Sequence, residues 1–160
     1  RFDNCYFDDS TQGVLLDQII MTRFCGCWFS NRPNVGLNIA QSEGLDFDGC
    51  ECANTDTHGV LVNSTASHFT FKGCEFISSG KAMDNTYDGL RIAAGVSDFI
   101  VQGCTFTNGF GFSGVQKYGI NVLAGASDRY IIADNLVSGN GTAGVLDGGT
   151  GVNKRVEDNS

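Results

Sequence analysis

Apolar and polar residues alternate along this chain in runs of three to five that recur at a nearly constant interval. His68-Phe69-Thr70-Phe71 and Asp98-Phe99-Ile100-Val101 are two such runs; alternation over this length predicts a short strand with one buried face. No segment sustains a helical period beyond a turn or two. A second run opens on Gly and continues apolar, variable, apolar. It occurs at Gly13-Val14-Leu15-Leu16, Gly36-Leu37-Asn38-Ile39, Gly59-Val60-Leu61-Val62, Gly89-Leu90-Arg91-Ile92, Gly119-Ile120-Asn121-Val122 and Gly144-Val145-Leu146-Asp147. In phase with it, Cys5, Cys27, Cys50, Cys74 and Cys104 take equivalent positions, and Asn135 and Asn159 continue the series.

Each Gly precedes the next Cys or Asn by 14 to 16 residues. The return to the next Gly takes 8 or 9, except after Cys74 and Cys104, where it takes 15. A unit this short cannot enclose a core alone, so its copies must stack. Three strands per copy, such as Phe69 to Phe71, Cys74 to Phe76 and Leu90 to Ile92, close one turn of a coil. Stacked coils then pair each strand with its counterpart one copy away, in parallel. The expected fold class is all-β: a single-stranded right-handed parallel β-helix, a solenoid of about six coils with three short strands each. Residues 1–160 read as one β-helix domain, a fragment of a longer chain because it opens at Arg1 in mid-repeat.

That register assigns Phe29, Cys52, Phe76, Phe106 and Val137 to one inward column and Phe24, Phe47, Phe71, Val101 and Ile132 to another. Ser42, Ser67, Ser97 and Ser127 read as a third column, of hydroxyls bonding turn backbone. Outward positions after each bend are Trp28, Glu51, Glu75, Thr105 and Leu136.

Composition agrees with tight turns around an aromatic core: 22 Gly, a single Pro and 12 Phe. The net charge of -8 without any Lys/Arg cluster argues against nucleic acid and anionic membranes as partners, and no apolar run reaches membrane-spanning length. Five of the seven Cys share one column, so they read as buried free thiols stacked in a ladder. Disulfides between coils and a zinc site are the alternatives, disfavoured by parallel side-chain directions and by ligands in a line. His58 and His68 read as surface turn residues.

The repeat resembles the right-handed parallel β-helix of the pectate-lyase-like superfamily, whose interior Asn, Ser, Cys and aromatic ladders match these columns. Residues 119–160, with Ala133-Asp134-Asn135-Leu136-Val137-Ser138-Gly139-Asn140-Gly141 and Asp147-Gly148-Gly149-Thr150-Gly151, look like the repeats of bacteriophage tailspike and tail-appendage proteins. The resemblance implies a virion-borne, extracellular segment with a structural and host-glycan-binding role. It also implies assembly as a homotrimer with sister subunits and other virion components. A polysaccharide depolymerase, hydrolase or lyase, is the alternative, and an architectural spacer the second.

Two places can carry chemistry. Glu51 and Glu75 face outward on adjacent coils, with Asp46 and Asp48 upstream; like charges that close split into acid and base or nucleophile. The resemblance adds that phage depolymerases place acidic pairs on the outer wall. A surface calcium ion or a solvated patch relieved by Lys72 is the other reading of the same residues, and no other cofactor or metal is implied. The two long connections, residues 77–88 and 107–118, lie side by side on one edge, which often marks a binding face. Asp84 and Asp88 are candidate catalytic carboxylates there, with Lys81 and Arg91 as basic groups for β-elimination on a uronate. Lys81, Tyr87, Arg91, Phe110, Lys117, Tyr118 and Asn121 are candidate glycan contacts, with Arg91 and Asn121 expected to be exposed. Packing of Phe110 and Phe112 against a neighbouring subunit is the alternative for the loop aromatics.

Overall fold

The computed structural model describes residues 1–8, 11–30, 34–109 and 115–160. The first coil comprises β1 (Phe2–Asp3), β2 (Tyr6–Asp8) and β3 (Val14–Asp17), and the second β4 (Ile20–Cys25), β5 (Trp28–Ser30) and β6 (Leu37–Ala40). Next come β7 (Glu43–Asp48), β8 (Glu51–Ala53) and β9 (Val60–Val62), then β10 (Ser67–Lys72), β11 (Glu75–Ile77) and β12 (Leu90–Ile92). They are followed by β13 (Ser97–Gln102), β14 (Thr105–Thr107) and β15 (Tyr118–Gly125). The last coils hold β16 (Tyr130–Ala133), β17 (Leu136–Val137) and β18 (Ala143–Gly149), with β19 (Lys154–Glu157) opening a further turn. Every third strand pairs in parallel, giving a first sheet of seven strands from β1 to β19 and second and third sheets of six, from β2 to β17 and from β3 to β18. The β-helix expected from the sequence is the fold observed.

The Cys and Asn series marks the bend between the first and second sheets. The residue before each ladder position is in the left-handed region, with φ of 56° at Gly73 and 58° at Asp134. Only Gly, or Asn and Asp with their short polar side chains, tolerate that conformation well, so the Gly-Cys pairs recur. The thiol then turns inward and donates to the backbone of the coil below: Cys74 to Phe47 O and Cys104 to Phe71 O, both at 3.5 Å. Asn135 takes over the same task, its Nδ2 reaching Val101 O at 3.1 Å, and Asn159 reaches Ile132 O at 3.2 Å. All seven cysteines are free thiols. The neighbouring Cys104 thiol, and after it burial, push Cys74 up to about 12.

The predicted inward columns are present. Phe24, Phe47 and Phe71 stack at 5.0 and 4.6 Å, and Phe76 lies on Phe106 at 4.4 Å. A third aromatic stack, Phe69, Phe99 and Tyr130, spaced 5.1 and 4.6 Å, runs beside them. The strand spacing of about 4.8 Å sets these offset stacks and lets like residues repeat through the core. Lys154 follows Tyr130 in register and ends this stack with an ammonium 5.8 Å from the ring, bonded to Asp147 at 2.7 Å.

The serine column needs correction. Ser67 pairs with Glu43 and with Ser97, which puts Ser42 in register with Ala66 and Val96. Ser42 and Ser127 are buried and their hydroxyls do bond turn backbone, Ser42 accepting from Ile19 N and Ser127 from Gly95 N. Ser67 and Ser97 lie one residue later, where the chain has already turned outward.

The Gly that opens each third-sheet strand is required by contact with the neighbouring coil. A Cβ on Gly59 would stand 2.5 Å from Gly89 O and 2.7 Å from Ser79 Oγ, and one on Gly119 2.8 Å from Gly144 O. Any side chain there would push the coils apart.

Candidate functional site

Asp88 lies two residues before β12, in register with His58 on the coil below, because Val60 pairs with Leu90. The Asp88 N–H donates to His58 Nδ1 at 2.9 Å. Asn121, on the next coil and paired with Arg91, donates from Nδ2 to Asp88 Oδ2 at 2.9 Å. The Arg91 guanidinium stands 3.5 Å from the same oxygen. The Asp88 side chain is 1% exposed, and its Oδ1 has no partner among the described residues. Asn121 Oδ1 is likewise buried and unpartnered. Burial pushes the Asp88 carboxyl above the usual carboxylate range, against the opposing effects of the Asn121 amide and of Arg91.

His58 was expected at the surface and is instead a member of this cluster. Its ring meets Tyr87 edge-on at 5.2 Å, and burial, helped by Arg91, lowers its pKa to about 4. The 3.7 Å approach of Nδ1 to Asp88 Oδ2 is therefore no ion pair at neutral pH. The neutral ring accepts the Asp88 N–H at Nδ1, which holds Asp88 in place, and carries its own proton on Nε2. The sequence signal that finds it is its place immediately before Gly59, equivalent to Asp88 before Gly89. Asn121, expected to be exposed, is 5% exposed, and Arg91 is partly buried. Both face outward on the third sheet, where the polar groups around them bury Asn121 and leave the Arg91 side chain 34% exposed.

The other loop candidates divide. Lys117 N donates to Tyr87 O, and the Lys117 ammonium lies 5.3 Å from the Tyr118 ring with no carboxylate within ion-pair distance among the described residues. Lys81 is drawn away to Asp56 at 3.4 Å. Asp84 is exposed, and its Oδ1 accepts the Val115 N–H at 3.0 Å, which pins one long loop to the next. Asn85 extends the clasp by accepting from Thr142 Oγ1 at 2.7 Å. Phe110 and Phe112 lie outside the described residues.

Glu51 and Glu75 are register partners on the second sheet, between Trp28 and Thr105. Burial and the neighbouring Glu75 charge raise the pKa of Glu51. Asp46 and Asp48 belong to the first sheet, where Arg23 bonds both, at 3.3 and 2.7 Å. The four carboxylates named from the sequence therefore do not make one site: Glu51 and Glu75 lie on one sheet, Asp88 precedes a strand of another, and Asp84 holds a loop. Among the described residues no three His, Cys, Asp or Glu side chains gather as a metal site.

A family model described as right handed beta helix region matches residues 1–127. The chain belongs to that family. No curated protein sequence matches it. Among solved structures, a mutant of the periplasmic alginate epimerase AlgG is similar with a TM-score of 0.68 at 12% identity, over 99% of this chain and 42% of that one. The A-module of a mannuronan C-5 epimerase from Azotobacter vinelandii is aligned over 94% of this chain and 58% of its own, at 14% identity and a TM-score of 0.44. This β-helix thus spans well under two thirds of either protein, and the first similarity establishes shared architecture.

In this right-handed β-helix a groove of about 770 Å³ lies elsewhere, along the outer face of the first sheet, lined by residues including Thr70, Ile100, Ile131 and Arg155. Its charged groups are already matched, Arg129 to Asp98, Lys154 to Asp147 and Arg155 to Glu157. The Asp88 cluster differs in having buried oxygens with no partner among the described residues. Chemically it offers an imidazole N–H, a guanidinium, an amide and a carboxyl displaced toward its neutral form, beside a free ammonium at Lys117.

Proposed function

We propose that this β-helix protein binds and modifies a polysaccharide, and that the cluster on its third sheet receives an acidic sugar. The carrying observation is Asp88, a buried carboxyl with one oxygen unmatched. An approaching anion raises a carboxyl already raised by burial still further, so the group takes up a proton on binding and donates a hydrogen bond to the anion instead of repelling it. Together with Arg91 it neutralises a uronate carboxylate, which makes the adjacent C–H more acidic. Lys117 as its neutral amine is the base in this reading: it takes that proton to become the ammonium, and the electron pair either expels the β-linked sugar oxygen, which solvent protonates, or takes a proton back on the opposite face in epimerisation. Shared architecture with a protein named as an alginate epimerase supports a polysaccharide as substrate. A homotrimeric phage tail appendage, displayed on the virion and meeting host capsule, is the setting that belongs to this proposal.

The test incubates the protein with polygalacturonate, alginate and host capsular polysaccharide, following binding, unsaturated-uronate absorbance and exchange of the uronate C–H in heavy water. Arg91→Ala is expected to weaken binding by about tenfold or more. Asp88→Asn, a neutral donor of the same shape, keeps binding while Asp88→Leu loses it. Retained binding in both Arg91→Ala and Asp88→Leu overturns the assignment. Binding without turnover or exchange reduces it to a recognition site.

A further inference from the structure

The outer face of the second sheet carries a ladder that the Asp88 reading leaves unused. Tyr6, Trp28, Glu51 and Glu75 are successive register partners on β2, β5, β8 and β11. They occupy four adjacent rungs about 4.8 Å apart. Tyr6 is 72% exposed and stacks on Trp28 at 5.4 Å. Trp28 has its indole N–H buried without an acceptor among the described residues, at the rung next to Glu51. An exposed tyrosine stacked on a half-buried tryptophan is not required by the fold, since the core stacks lie on the opposite face of the same strands.

Each half of the ladder favours the same chemistry. The two carboxylates repel one another across one strand spacing, and their strain is relieved by a positive charge placed between them. The faces of Trp28 and Tyr6 attract cations through the ring quadrupole, and they also suit the apolar face of a sugar ring. The net charge of -8 draws a cationic polymer toward the chain. An extended polymer lying along the solenoid axis meets rings and carboxylates in turn, which a compact cation does not.

We propose that the Tyr6–Trp28–Glu51–Glu75 wall is a second glycan site, selective for amino sugars that carry protonated amines. Rings stack on Tyr6 and Trp28, and the ammonium groups sit against Glu51 and Glu75. No covalent step is involved. The site stands on residues separate from Asp88, so either assignment can fail without the other.

Trp28 is the sole tryptophan, which makes intrinsic fluorescence a local reporter. Titration with deacetylated chito-oligosaccharides near neutral pH is expected to shift Trp28 emission saturably, with the fully N-acetylated oligomers at least about tenfold weaker. Glu51→Gln combined with Glu75→Gln is expected to remove that preference, and Asp88→Leu to leave it intact. Circular dichroism confirms that the double variant is folded. The proposal is overturned by an unchanged emission, by equal affinity for acetylated oligomers, or by equally tight binding of oligolysine of matched charge, which would make the wall a general cation surface.

Discussion

Replacing Asp88 by Asn separates a carboxyl kept for its chemistry from one that holds the fold. In the native protein this group is buried, meets Asn121 and a distant Arg91 through Oδ2, and leaves Oδ1 unmatched among the described residues. Its pKa is raised, so the folded state binds its proton more tightly than the unfolded chain does. The stability it contributes is therefore fully present below the ordinary aspartate range and is lost as pH rises through the raised value. Asn keeps the shape and the bond from Asn121 without a buried charge. Burying an incompletely partnered charge instead of a neutral polar group costs about 1–3 kcal/mol more, and for a chain of this size each kcal/mol moves Tm by roughly 2–4 °C. Asp88→Asn is expected to melt a few degrees higher than wild type at pH 7, with the difference vanishing under acid conditions. Thermal melts of both proteins across that pH range provide the measurement. A lower melting temperature for Asp88→Asn at pH 7, or a gap independent of pH, refutes the reasoning and makes Asp88 a structural anchor.

Cys104→Asn is expected to hold within about 1 kcal/mol of wild type, because Asn135 already makes the equivalent bond one coil away. Asn135→Ala strips partners from buried Cys104 N and Val101 O and is expected to lose about 1–3 kcal/mol or more; urea unfolding distinguishes the two. Gly59→Ala drives a Cβ to 2.5 Å from Gly89 O and is expected to destabilise by about 1–3 kcal/mol. Gly73→Asn, at φ 56° with nothing within 4 Å of the new Cβ, is expected to stay below that, and the reverse order in thermal melts would contradict the proposed division between crowded and left-handed glycines. Phe71→Ala, which opens the stack between Phe47 and Phe76, is expected to cost about 3–5 kcal/mol by the same urea assay.

The coil register could be read in advance because each repeated residue has a local cause. A left-handed bend selects Gly, Asn or Asp before the ladder, and coil contact selects Gly before the third strand. The adjacency of Glu51 and Glu75 followed from that register alone. The serine column slipped by one at Ser67 and Ser97 because hydroxyl chemistry is too common to mark a position, and only strand pairing shows that Ala66 and Val96 occupy the buried place. His58 read as a surface turn residue because its partner is not a neighbour in sequence but the residue at the equivalent place before the next Gly. Asp88 lies 30 residues on, brought beside it by one turn of the solenoid.

The sequence by itself determined the solenoid, its sheets and most of its inward columns, since a one-dimensional repeat makes position along the chain equivalent to position in space. The tertiary structure alone decided which of the candidate polar groups come together and how far each is withdrawn from water. Protonation and hydrogen bonding depend on how much water remains and on which groups the neighbouring coils supply, and both quantities arise only when the coils and long loops close over Asp88, Arg91 and Asn121. Lys81 and Asp84 share that edge in sequence, yet the folded loops give one to Asp56 and the other to the Val115 backbone.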